Sequence, residues 1–197
     1  KDSMLRRQRL LAHHDVRLLF DVGANAGQYA RLLRRGGYRH EIVSFEPQSS
    51  AFRELATRAA RDRAWRALNV ALSDFDGTTE INLAGNSLSS SLLDMLPAHA
   101  ESAPESSYVG RETVTTRRLD GLLPTLAPPG IATYLKIDTQ GFELKVLQGA
   151  GEALRQIDTL ELELSLVPLY DGAPLFADML AWLAARGYEL VGLEPAF

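Results

Sequence analysis

The 197-residue chain contains no cysteine. Disulfides, thiolate nucleophiles and thiolate zinc sites are therefore excluded, and the composition is compatible with a reducing compartment. Long apolar runs are missing too: none approaches the ~18 residues needed to span a bilayer. The charged start, Lys1-Asp2-Ser3-Met4-Leu5-Arg6-Arg7, has no apolar core behind it, so it does not read as a signal peptide. Positive charge is not in excess. Lys and Arg number 21 against 25 Asp and Glu, a net charge of -4. That leaves no general attraction to nucleic acid or anionic membrane. Together these absences lead us to expect a cytoplasmic protein with no transmembrane segment and no nucleic-acid partner. The first residue is Lys rather than Met, as in a piece of a longer chain.

What is present suits an ordinary globular protein: 46% apolar and 23% charged residues, and a length that makes one domain over residues 1–197. A short basic leading helix falls within residues 1–16, from Ser3 to His14, with Leu5, Leu10 and Leu11 facing inward. Strands are expected at Arg17 to Asp21, Glu41 to Glu46 and Trp65 to Leu72, with helices at Asn25 to Arg35 and Ser49 to Arg61 between them. Connections of that length make right-handed crossovers, so the sheet is parallel. Thr78 to Leu83 and Glu112 to Arg117 read as an added pair of strands. Between them, residues 85–110 form an irregular insertion with an amphipathic piece at Leu92 to His99, of the kind that serves as a lid or binding loop. The alternating pattern resumes with strands at Ala132 to Asp138, Thr159 to Leu166 and Tyr188 to Leu193. Helices lie at Phe142 to Leu147 and Pro174 to Arg186, with a short turn or helix at Leu154 to Ile157.

The richest segment is Leu19-Phe20-Asp21-Val22-Gly23-Ala24-Asn25-Ala26-Gly27-Gln28: strand, tight turn, helix start. Gly23 and Gly27 permit a bend and close approach to a ligand. Dinucleotide sites use G-x-G-x-x-G to seat pyrophosphate on the helix N-terminus. Here the crowded middle glycine is replaced by Asn25, and Asp21 would repel phosphate. An acid at that place suits a ligand carrying an ammonium group, such as the methionine part of S-adenosylmethionine. Glu46 ends the second strand, where a carboxylate accepts hydrogen bonds from both ribose hydroxyls; this suits NAD as well. The blander readings are a helix cap for Asp21 or Asn25 and a strand-end turn for Glu46.

Phe20-Asp21-Val22-Gly23-Ala24-Asn25-Ala26-Gly27-Gln28, Phe45-Glu46-Pro47, Asn69-Val70-Ala71-Leu72-Ser73, Ser89-Ser90-Ser91-Leu92, Leu135-Lys136-Ile137-Asp138-Thr139-Gln140-Gly141-Phe142-Glu143 and Glu161 to Tyr170 stand in an order that resembles the FkbM family of S-adenosylmethionine-dependent methyltransferases. The resemblance implies an α/β class I methyltransferase: a Rossmann-like, doubly wound, mostly parallel sheet of seven strands with helices on both faces and the last strand antiparallel. It implies O-methylation of a hydroxyl on a sugar, glycolipid or related natural product. It also implies a final strand after Glu194-Pro195, which this chain lacks room for before Phe197. The donor would meet Asp21, Gly23, Asn25, Gly27 and Glu46, with Asn69 and Ser73 near the adenine and Ser90 bounding the pocket.

For the chemistry, Asp138 ends a strand and lies by the resemblance beside the methyl donor. It would orient the acceptor, accept its proton or bind a cation; the alternative is an N-cap. Glu161, Glu163 and Ser165 share one face of their strand. Buried acids need partners, so Lys136 is expected to pair with Glu161 and leave Glu163 for the active site. His99, in the insertion, is a further base candidate if a lid carries it inward. Asp138 and Glu163 with a loop amide would offer oxygen atoms suited to magnesium, but no spacing demands a divalent cation. Arg6, Arg7, Arg9, Arg53, Arg58, Arg61 and Arg63 read as solvated helix faces. Three rivals stand beside this reading: a methyltransferase for a small phenol or an RNA ribose, a non-catalytic S-adenosylmethionine-binding protein, and an NAD-dependent enzyme.

Overall fold

The computed structural model describes residues 2–195. The elements in chain order are α1 Asp2–His13, β1 Leu18–Val22, α2 Gln28–Arg35, β2 Glu41–Phe45, α3 Ser49–Ala59, β3 Trp65–Leu68, β4 Ala71–Leu72, β5 Gly77–Ala84, α4 Pro97–Ser102, β6 Tyr108–Arg117, α5 Leu119–Leu126, β7 Thr133–Ile137, α6 Glu143–Ala150, β8 Thr159–Leu162 and α7 Phe176–Ala184. Short 3-10 turns occupy Pro104–Ser106 and Gly151–Gln156.

Five strands form the main sheet in the order β3-β2-β1-β7-β8, every neighbour pair parallel. The order reverses between β1 and β7, which places a ligand crevice beyond their carboxyl ends. β1 shows why the sheet is buried on both faces. Leu19 points into a core with Ala30 and Leu33 of α2, Leu55 of α3 and Leu11 of α1. Phe20, its neighbour, points the other way, among Phe45, Leu123 of α5, Val146 of α6 and Met179 of α7. Both are fully buried. Each such side chain contributes about 1.5–3 kcal/mol relative to exposure. The helices therefore divide as α1–α3 on one face and α5–α7 on the other.

The second sheet corrects the expected third strand. Trp65 to Leu72 does not run through. β3 ends at Leu68, and β4 leaves the main sheet to pair parallel with β6, which pairs antiparallel with β5 in the order β4-β6-β5. Asn69 sits at the break and donates its Nδ2 to the carbonyls of Glu46 and Pro47 (2.8 and 2.9 Å), so the chain is tied down where it changes sheet.

Four other differences from the expected elements follow. α5 is not legible in the sequence because Gly121 and Pro124 break its pattern, yet Leu119 and Leu123 bury one face. β8 stops at Leu162, four residues short of the expected end. Tyr188 to Leu193 forms no strand among the described residues: Tyr188 hooks its hydroxyl onto the carbonyls of Leu154 and Ile157, and the Val191 carbonyl accepts from Arg6. In α1, Leu11 is buried but Leu5 is exposed. No helix among the described residues is long and apolar enough to cross a membrane.

Candidate active site

The turn after β1 is built by the chain's own contacts. Gly23 (φ 73°) and Gly27 (φ 81°) take left-handed backbone conformations, as does Asn25 (φ 46°). The space a Cβ would fill at Gly23 is taken by the carbonyl of Asp138. At Gly27 it is taken by the Trp65 ring, 2.8 Å away, and Leu55. These glycines therefore serve the bend and the close packing of neighbouring protein. Asn25 accepts the Ala26 N–H on Oδ1 (2.7 Å) and donates Nδ2 to the Ser87 carbonyl (3.1 Å), so it joins the turn to the insertion.

Glu46 is 6% exposed, and its two carboxylate oxygens accept the backbone N–H groups of Asn25 and Gln48, each at 2.8 Å. Burial pushes it up to about 7, against the pull of those two bonds. Asp21 is fully buried beneath the turn. Oδ2 accepts from Ser44 Oγ (3.2 Å), and the ammonium it faces is that of Lys136, 3.6 Å from Oδ1. Oδ1 has no hydrogen-bond partner among the described residues. Burial raises the Asp21 carboxyl, and Lys136 opposes this.

Lys136 overturns the expected pairing. Its Nζ lies 3.2 Å from Asp138 Oδ2, and Glu161 is held instead by Arg7, Tyr29 and Tyr134. Arg7 is thus no surface residue, with a side chain only 17% exposed. The structure gives α1 a reason for lying where it does: it delivers the cation that Glu161 needs.

Asp138 follows β7, and its N–H bonds the Val22 carbonyl, so it stands next to the Gly23 turn. Oδ1 accepts from Gln140 Nε2 (2.9 Å). Glu163 shares a hydrogen bond with Asp138. Burial opposes ionisation of Asp138, but Lys136 and these hydrogen bonds hold its carboxyl below the ordinary value. Glu163, though exposed on its outer side, is pushed up to about 8 by partial desolvation and by the Asp138 charge. Two carboxyls in contact cannot both ionise cheaply, so the pair keeps one proton at neutral pH.

Around this pair lie residues that the sequence did not single out. Glu143 is 3% exposed and accepts on Oε1 from the Thr139 and Gly141 N–H groups (2.9 and 3.2 Å). It therefore fixes the loop that carries Gln140. Tyr170 donates its hydroxyl to Gln140 Oε1 (2.9 Å), and Ser91 donates to the Gln140 carbonyl (2.8 Å). His99 packs edge-on against the Tyr170 ring, with centroids 5.1 Å apart. Burial holds its imidazole below the ordinary value, and its Nδ1 has no partner among the described residues. A chain of contacts thus runs from Asp138 through Gln140 and Tyr170 to His99. Gln140 and Tyr170 both lie inside the segments that carry the family resemblance, which was the available signal.

The insertion is accordingly fastened to the site through Ser87, Ser91 and the Leu96–Leu169 and Asp171–Asp94 backbone bonds. Its helix falls at Pro97–Ser102, later than the amphipathic piece expected at Leu92 to His99. Ser73 and Ser90, expected near the adenine and at the pocket boundary, make contacts within the protein. Ser73 is fully buried, with its carbonyl against Gly149 of α6, and Ser90 spends its Oγ accepting the Ala84 N–H (3.0 Å). No group of three or more His, Asp or Glu suited to a metal ion occurs among the described residues; the cation beside Asp138 is Lys136.

Glu46 (about 7) and Glu163 (about 8) both stand above the unfolded value of 4.5. The folded state therefore binds extra protons in that window, and stability is lost as pH rises through it. The raised Asp21 and Glu143 act in the same direction, the lowered His99 opposes it only below its ordinary 6.5, and the lowered carboxyls Asp62, Asp74, Asp138 and Glu161 act only below about pH 4.5. Thermal unfolding by circular dichroism should give a Tm that falls by on the order of several °C between pH 5 and pH 8.5, less steeply in Glu163→Gln. A Tm that climbs over that range would contradict it.

The arrangement can bind and move a proton beside the switch point of a parallel sheet, which is where doubly wound enzymes bind ligands. No curated protein and no solved structure matches the chain. A family model, the methyltransferase FkbM domain, matches residues 21–190. That span runs from the buried acid under the turn to beyond α7 and takes in Asp138, Glu163, Lys136, Gln140 and Tyr170, with Arg7 of α1 ahead of it. The chain belongs to the FkbM methyltransferase family.

Proposed function

We propose that this methyltransferase takes its methyl group from S-adenosylmethionine and delivers it to a hydroxyl of a sugar, glycolipid or related natural product. The observation that carries the reading is the Asp138–Glu163 pair, braced by Lys136, at the carboxyl end of β7 and against the Gly23 turn.

The donor fits the residues on chemical grounds. Glu46 and the buried carboxyl of Asp21 flank the turn, and each has acceptor capacity beyond its present bonds. Glu46 would hold the ribose hydroxyls, and the Gly23–Gly27 backbone would border the methionine end. When bound, the donor supplies an electrophilic methyl carbon on a sulfonium.

The chain's part is alignment and proton removal. Asp138 orients the acceptor hydroxyl. The pair takes its proton as the oxygen bonds to the methyl carbon and the carbon–sulfur bond breaks. Gln140 and Tyr170 keep Asp138 in place. Lys136 prevents the pair from holding two protons, because its charge favours the ionised form.

The test is calorimetric titration of donor, with NAD as the competing ligand, followed by product detection with labelled donor over a panel of glycosides and glycolipid precursors. Tight NAD binding without donor binding would sink the reading. Product on a phenol or RNA ribose alone would move the acceptor class. A pH profile adds a sharper check. If the pair must lose its last proton, kcat/KM rises to a plateau above about pH 8. Glu163→Gln should lose about 10²-fold and flatten that limb; an unaltered limb assigns the proton elsewhere.

A further inference from the structure

Lys136 and Glu161 are direct neighbours in the β7–β8 register, yet no ion pair joins them. The Lys136 ammonium lies 5.3 Å from the centre of the Tyr29 ring, 3.6 Å from Asp21 and 3.2 Å from Asp138. Glu161 is occupied by Arg7, whose Nε and Nη2 donate to its two oxygens (2.8 and 2.6 Å), and by the hydroxyls of Tyr29 (2.7 Å) and Tyr134. The planar guanidinium fork matches a carboxylate in a way that an ammonium cannot. One cation from the leading helix therefore frees another for the active site.

We propose that Arg7 is a positioning residue: by engaging Glu161 bidentately it keeps Lys136 on Asp21 and Asp138. The proposal rests on the reading of Asp138 as the proton-handling group. The charged groups facing Lys136 are Asp21 from β1, Asp138 after β7 and Glu161 from β8, with Glu46 and Glu163 farther off. Without Arg7, Glu161 becomes a half-buried carboxylate held only by hydroxyls. Adjacent strands lie about 4.8 Å apart, and Lys has a flexible four-carbon stem. The ammonium then turns toward Glu161, and Asp138 loses its cation.

The chain has only three lysines, Lys1, Lys136 and Lys145, so the Lys136 ammonium can be followed in lysine-labelled protein by NMR at Cε and Nζ. K145R identifies its signal. In Arg7→Gln the Lys136 resonance should move, and kcat should fall about tenfold with the acceptor KM nearly unchanged. Glu161→Gln alone should move neither, because Lys136 gains no competing partner. In the double variant R7Q/E161Q both should return toward wild type although Arg7 is still missing, a recovery that a purely structural Arg7 would not produce. An unmoved Lys136 resonance in R7Q, or an equal shift in E161Q, overturns the proposal. Should R7Q not fold, R7Q/E161Q must fold with a wild-type Lys136 signal, and failure there also overturns it. The lysine readout needs no substrate. A wild-type chain that methylates nothing but shows the expected Lys136 pattern would refute the functional reading and leave the role of Arg7 standing.

Discussion

Asp138→Asn should lower kcat by about 10²–10⁴-fold, the range for loss of a positioned acid–base group, while donor affinity by calorimetry stays within a few-fold. The amide keeps the size of the carboxylate and can still face Gln140. It carries no charge for Lys136 and cannot receive a proton. Lys136 still has Asp21 at 3.6 Å, so the ammonium is not stranded and the fold should persist. The same substitution removes the negative charge that raises Glu163, so the pH limb near 8 should shift to lower pH in whatever activity survives. A variant that turns over at the wild-type rate would show that the carboxylate is a helix-entry residue only. Measured Tm values separate the two causes of a loss: a catalytic defect leaves them close, whereas a collapse of the loop lowers them.

The largest effect on stability should come from Gly23→Ala. Two costs add. The φ of 73° is left-handed, worth roughly 1–2 kcal/mol for an L-residue. The new methyl also lands on the carbonyl of Asp138, which is backbone and cannot rotate away. Gly130 separates the two, because it has φ 75° and nothing within 4 Å of its Cβ position. Gly130→Ala should therefore cost only the conformational share, roughly 1–2 kcal/mol. Gly23→Ala should exceed about 4 kcal/mol, the exceptional end for single substitutions, or about 8–16 °C in Tm for a chain of this size. Equal losses in urea unfolding of the two variants would show that the turn yields to the methyl. Any folded fraction of Gly23→Ala should also have weakened activity, since Asp138 must move to make room.

The sequence carried the succession of crossovers because each strand and helix there has its own local signature. The apolar run before Asp21, the Gly36-Gly37 stop and the Pro47 break are read within a few residues, and the parallel sheet follows from connection lengths. The elements that misread are those whose form depends on distant partners. Trp65 to Leu72 looks continuous, but Asn69 ties the chain to β2, and β4 pairs with a strand some 45 residues on. Tyr188 to Leu193 has strand-like residues but joins no ladder among the described residues, where Tyr188 is instead held by the carbonyls of Leu154 and Ile157.

The site divides in the same way. Asp21, Glu46, Asp138 and Glu163 could be named from residue type and position, because acids at the carboxyl ends of parallel strands stand out against an apolar background. Which charges meet could not. Strand neighbourhood pointed to Lys136 as the partner of Glu161 and left Arg7 on a solvated helix face, whereas the pairing is made by a contact spanning 154 residues that places a guanidinium fork against the carboxylate. The link from His99 through Tyr170 to Gln140 likewise joins segments remote in sequence. By itself, the sequence determined the fold class, the turn and the acids that line the strand ends, since local periodicity and turn chemistry act over a few residues. Only the tertiary structure decided the ion pairs, and with them which carboxyl keeps its proton, because Coulomb energy and desolvation depend on distances that exist only once the chain is packed.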